Sequence, residues 1–133
     1  MRSFESYYRR YYAAYPWGHA FATWVSLNPL RAWRRGVRDN PAYPDFADLS
    51  EIEVAKRLGI DRGNMWKMEH GKFMPTDRRL AQLTEITGIP DLASAWNRWL
   101  RSFPREIPLD DPEIQKRLGV VVIQMQRVLR AAA

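Results

Sequence analysis

His19 and His70 are the two imidazoles of the chain, and neither has a partner at metal-ligand spacing. Cysteine is absent, which removes thiolate metal sites, disulfides and Cys nucleophiles. Asp110-Asp111 is a carboxylate pair of the kind used in acid–base work, but it directly precedes Pro112 and is better explained as a helix cap. His70 sits just before Gly71, at a position read as surface. Neither the G-x-G-x-x-G fingerprint nor the Walker loop is present. No enzyme activity, cofactor, metal site or small-molecule ligand is expected. What remains is binding chemistry. Lys and Arg number 21 against 15 acids, a net charge of +6, which suits polyanionic partners.

The basic excess is uneven. Residues 1–48 and 93–133 each carry seven basic and four acidic residues, whereas 49–92 carry seven of each. Non-specific attraction to phosphates must therefore come from the flanks. With 46% hydrophobic and 27% charged residues, the chain has the makings of a packed core. No apolar run approaches the roughly 20 residues needed to span a bilayer, and the polar, Tyr-rich start is unlike a secretory leader. The expected location is cytoplasmic and nucleoid-associated.

The elements that would position a binding surface are helical throughout. Residues 1–28 are aromatic-rich. Tyr8, Tyr11, Tyr12 and Tyr15 share one helical stripe, and a short helix to Tyr15 is expected to break at Pro16 and Gly18. Packing against the rest of the molecule is the favoured role of these rings, and base stacking the alternative. Asn28-Pro29 starts a helix to about Arg38, with Leu30, Trp33 and Val37 inward. A proline-containing loop spans residues 40–48. Ser50-x-x-Glu53 is a capping box whose helix stops at Gly59. Asp61 caps a helix that ends at Gly71, with Met65 and Met68 inward. Thr76 opens another, with Leu80, Leu83 and Ile86 inward, stopped by Gly88. Asp91 opens a helix to about Phe103 that carries Trp96 and Trp99. Pro104 and Pro108 mark a linker, and one helix from Pro112 to about Arg130 carries an apolar stripe of Ile114, Leu118, Val121, Val122, Met125, Val128 and Leu129. The stripe packs back on the preceding helices or forms a dimer. Read as a detachable element, it predicts that a chain lacking residues 108–133 still folds.

The central segment, Leu49 to Pro75, reads LSEIEVAKRLGIDRGNMWKMEHGKFMP. It resembles the repressor-type pattern L-[ST]-Q-x-x-[LV]-A-x-x-[LV]-G-[IV]-[ST]-x-x-x-[IV]-x-x-[WIL]-E-x-G-x-x-x-P of the lambda-repressor-like (Cro/cI, XRE-type) helix-turn-helix DNA-binding family. Ala55 permits a close helix crossing, Gly59 the left-handed turn, and Ile60 plugs the gap between the helices. The resemblance covers roughly residues 29–92. Glu51 stands where the family has Gln, Trp66 fills a position that is usually small or polar, and residues 39–48 lengthen a normally short turn.

The helical patterning along the chain and this resemblance together lead to the expectation of an all-α chain. A five-helix module over residues 29–103 would be flanked by an aromatic extension at 1–28 and by a linker and amphipathic helix at 104–133, a candidate dimerisation element. The resemblance implies that the Asp61–His70 helix lies in the major groove, where Arg62, Gly63, Asn64, Trp66 and Lys67 face bases. Arg62 would pair with guanine and Asn64 with adenine. Lys56 and Lys72 fall where the family contacts phosphate, and Arg34 is in register to pair with Glu69. The implied function is a sequence-specific transcriptional regulator, repressing or activating, that binds double-stranded DNA as a homodimer. The alternative is a protein-interaction module on the same fold, antitoxin-like or a phage factor contacting the transcription machinery. No membrane partner is expected.

Overall fold

The computed structural model describes residues 10–33 and 55–132, and every regular element among them is helical. Six helices are bounded: α1 Gly18–Ser26, α2 Arg62–Glu69, α3 Asp77–Thr87, α4 Leu92–Arg101, α5 Pro112–Arg117 and α6 Val120–Ala132. Helical residues 29–33 and 55–57 adjoin the undescribed stretch 34–54. The Ser50–Glu53 capping box, the loop at 40–48, Glu51 and Arg34 lie outside the described residues. No described helix is long and apolar enough to cross a membrane.

Helix starts follow their local chemistry. A short polar side chain before the first turn accepts an otherwise unsatisfied backbone N–H. Asn28 takes those of Leu30 and Arg31, Asp61 that of Asn64, Thr76 that of Arg79, Asp91 that of Ser94 and Asp111 that of Glu113. The Ser94 hydroxyl also donates to Asp91, and these bonds hold that carboxyl below its ordinary range. The stops at Gly59, Gly71 and Gly88 all have positive φ.

The core runs from Tyr12 to Ile123 as one cluster. It includes N-terminal aromatics, both methionines of α2, the inner faces of α3 and α4, and Ile107, Leu109, Ile114, Leu118, Val122 and Ile123. Its centre is a reciprocal latch between α1 and α4. Trp24 and Trp99 stack with ring centroids 4.1 Å apart and planes 6° from parallel. Each indole N–H donates to the other residue's carbonyl, at 2.8 and 2.7 Å. Among the described aromatics of this segment, Tyr12, Trp17, Phe21 and Trp24 therefore pack on the remainder of the molecule. Burial pushes the Tyr12 phenol up to about 12, against the opposing pull of Arg117. Trp17 Nε1 reaches the Asp111 cap of α5 at 3.2 Å.

Three expectations need correction. Gly18 is not a breaker but the first residue of α1, and the helical residues 10–11 give way to turns by Tyr12. A Cβ on Gly18 would lie 2.0 Å from the Tyr12 carbonyl oxygen, so glycine is needed for contact between chain segments. Ile86 does not face inward; it is 52% exposed, while α3 packs through Leu80 and Leu83. The single terminal helix is two, interrupted at Leu118-Gly119.

At that interruption Gly119 N–H donates to the Gly71 carbonyl at 3.1 Å, and a Cβ on Gly119 would sit 1.7 Å from the Lys72 carbonyl oxygen. The break resets the phase of α6. Val122, Ile123 and Gln126 are buried, while Val121 and Val128 from the expected stripe point to solvent. Gln126 belongs inside because its amide donates to the Leu100 carbonyl at the end of α4. The region after Phe103 is likewise packed, with Ile107 and Leu109 in the core and Arg130 donating to the Pro104 and Ile107 carbonyls. Gly119→Ala should therefore cost about 3 kcal/mol, since the obstructing atom is backbone and cannot swing away. That corresponds to a melting point lower by roughly 10 °C in thermal circular dichroism. An unchanged transition would mean that α5 and α6 are not held against the Gly71 turn.

Candidate nucleic-acid interface

The surface singled out in the sequence is built on α2. The chain enters it from residues 55–57 through a tight reversal. Ile60 N–H donates to the Ala55 carbonyl and Gly59 N–H to that of Lys56, with Gly59 left-handed and Ala55 and Ile60 both buried. This paired bonding closes one helix and aims the next. Arg79 of α3 donates to the Gly59 carbonyl at 2.9 Å, pinning the reversal from outside. Asp61 then caps α2.

Within α2, the side chains divide cleanly. Met65, Met68 and Glu69 are buried. Arg62, Gly63, Asn64 and Lys67 are exposed, and Trp66 is 38% exposed. Two methionines thus seat the inner face, while the outer face carries a guanidinium, an amide and an ammonium within six residues. Gly63 backs onto the cap: a Cβ there would lie 3.1 Å from Asp61 Oδ2.

The far end is fixed as firmly. Gly71 N–H donates to Met68 and Lys72 N–H to Lys67, repeating the closure seen at Gly59. Any Cβ on Gly71, whose φ is +76°, would meet Leu118 and Trp24 at 3.1 Å. Glu69 is fully buried, and its carboxylate lies 3.9 Å from the Arg31 guanidinium. That pair joins α2 to the helical residues capped by Asn28. Arg34, the partner expected from the sequence, lies outside the described residues.

His70 is a further correction. It is buried, not on the surface. Its ring stacks on Trp66 at 4.1 Å and 18°, and its Nδ1 lies 2.7 Å from the Trp66 carbonyl. A carbonyl can only accept, so Nδ1 carries the hydrogen. The i, i+4 spacing of the two rings is a cue to this stack. Trp66 is thereby held in one orientation along the exposed face of α2.

Of the two lysines expected at phosphates, Lys56 is exposed beside the reversal. Lys72 is half-buried, and its ammonium donates to the Lys116 carbonyl at the end of α5 at 2.8 Å. Arg62, Asn64, Trp66 and Lys67 therefore share one element, Lys56 adjoins its entry, and Lys72 is engaged by the C-terminal helices. Among the described residues no cluster of His, Asp or Glu could hold a metal ion. Compared with protein-family models, with curated proteins and with solved structures, the chain matches none.

Proposed function

We propose that this chain is a sequence-specific DNA-binding transcriptional regulator of the lambda-repressor-like helix-turn-helix type, reading the major groove with α2. The observation that carries the reading is the division of α2. Its inner face is locked by Met65, Met68 and Glu69, and its outer face offers Arg62, Asn64 and Lys67 to solvent. A rigid helix with protruding donors near its start suits base edges. Arg62 pairs with the two acceptors of guanine, and Asn64 matches the donor and acceptor of adenine. Gly63 keeps the backbone open to close approach. Lys67 serves a base or a phosphate, and Lys56 and Lys72 serve phosphates. The net positive flanks supply the sequence-independent attraction. As a homodimer the protein would meet two half-sites about 34 Å apart on a palindrome. A second reading, a protein-interaction module on the same fold, is favoured by one feature: Trp66, fixed by His70 on the exposed face, resembles an aromatic anchor.

Salt dependence separates the two. Duplex affinity should fall linearly with salt on logarithmic axes, with a slope of about −0.9 per neutralised phosphate. A duplex affinity too weak to measure at low salt, with the protein folded, would favour the second reading.

A further inference from the structure

A cleft of about 360 Å³ lies between the end of α4, the bend that follows it and the last turns of α6. Its volume is at the lower end of the roughly 300–1,000 Å³ typical of small-molecule sites. Arg101, Arg105 and Arg130 line it together with Phe103, Gln126 and Leu129. No acidic side chain does, and no ion pair among the described residues satisfies any of the three arginines. Arg101 and Arg105 are near neighbours in the chain, and Arg130 joins them from the far end of α6, a convergence that spacing does not reveal.

Arg130 is a built feature. Its guanidinium donates to the carbonyls of Ile107 and Pro104 at 2.8 and 3.1 Å, and it lies 5.7 Å over the Phe103 ring. Burial, and then the neighbouring Arg105, hold it below its ordinary pKa. Placing like charges together without a counter-charge is unfavourable, and a bound anion would relieve it. Guanidinium forks match planar or tetrahedral oxyanions. Three of them suit a dianion or higher better than a single carboxylate.

We propose that this cleft is an anion site that takes a phosphoryl group, with Arg130 as the fixed donor and Arg101 and Arg105 as the clamp. The apolar floor of Phe103 and Leu129 would receive the body of a small organic phosphate. The site is separate from the α2 face. Gly119 touches the end of α2, and the cleft residues of α6 lie roughly 10–20 Å further along that helix.

The test is calorimetric titration of the full chain with inorganic pyrophosphate, wild type beside an Arg101→Gln, Arg105→Gln double variant. Both side chains are exposed, so the melting curve should not change. Saturable binding by wild type, weakened at least tenfold in the double variant, is the expected result. In the wild-type protein pyrophosphate should also shift the Arg130 side-chain Nε resonance and leave that of Arg62 unmoved. No saturable binding, or equal binding by the double variant, would overturn the site. Duplex titrations then identify the source of the phosphoryl group. A salt slope shallower in the double variant by about 0.9 for each lost contact assigns it to a nucleic-acid backbone, and an unchanged slope to a small phosphate. Arg62→Ala should leave pyrophosphate binding intact, so this proposal and the reading of α2 fail independently.

Discussion

A chain ending at residue 107 should show no cooperative thermal transition. The sequence suggests a detachable terminal helix, yet Leu109, Ile114, Leu118, Val122 and Ile123 are all buried in the core shared with α1 and α4. Burying a large aliphatic side chain contributes about 1.5–3 kcal/mol, so these five together contribute on the order of 10 kcal/mol. The net stability of a domain is only about 5–15 kcal/mol. Truncation also removes the Gln126 bond to the Leu100 carbonyl, the Gly119 bond to Gly71, and the Asp111 partner of Trp17. Calorimetry on the truncated chain should give a broad, low-enthalpy profile. A sharp transition near the wild-type temperature would show that α5 and α6 are dispensable and that the core closes without them.

The second large effect is expected at the indole latch. Trp99→Ala removes a buried ring, its stack on Trp24 and one of the two reciprocal hydrogen bonds. Truncating a buried Trp to Ala costs about 3–5 kcal/mol, from the lost burial of the ring and the cavity left behind. Trp99→Phe keeps an aromatic ring but loses the N–H donor. Its cost should be smaller, about 1–2 kcal/mol, drawn from the hydrogen bond and the reduced stack. Chemical denaturation of both variants gives the comparison. If Trp99→Ala lost less than about 1 kcal/mol, the latch would not be where the fold is held.

Both effects concern parts that the sequence conveyed poorly, and the reason is distance along the chain. Asn28, Asp61, Thr76, Asp91 and Asp111 were legible as caps because each bonds a backbone N–H two or three residues away. Gly59 and Gly71 were legible as stops for the same reason. Met65 and Met68 followed from helical spacing. Gly18 and Gly119 were misread because their requirement is set by the backbones of Tyr12 and Lys72, which no local pattern reveals. Val121 and Val128 were assigned inward on an unbroken helix, and the break at Gly119 turned them out. His70 reads as a surface residue, but the Trp66 carbonyl beside its Nδ1 makes burial tolerable, as the Leu100 carbonyl does for Gln126. Within the candidate interface, the family resemblance supplied the outward residues of α2, which are exposed, whereas the contact of Arg31 with Glu69 and the Arg79 pin on Gly59 required the fold.

The central claim is that α2 reads bases, and selection from a random duplex pool tests it most directly, with wild type run beside Arg62→Ala. Arg62 is exposed in the first turn of α2, so its loss should leave the melting curve intact. The account predicts that wild type enriches one motif. Arg62→Ala should relax the preference at a guanine in that motif and bind the wild-type site about 1–3 kcal/mol more weakly. Absence of any enriched motif from folded wild-type protein, or the same discrimination in both proteins, would contradict it.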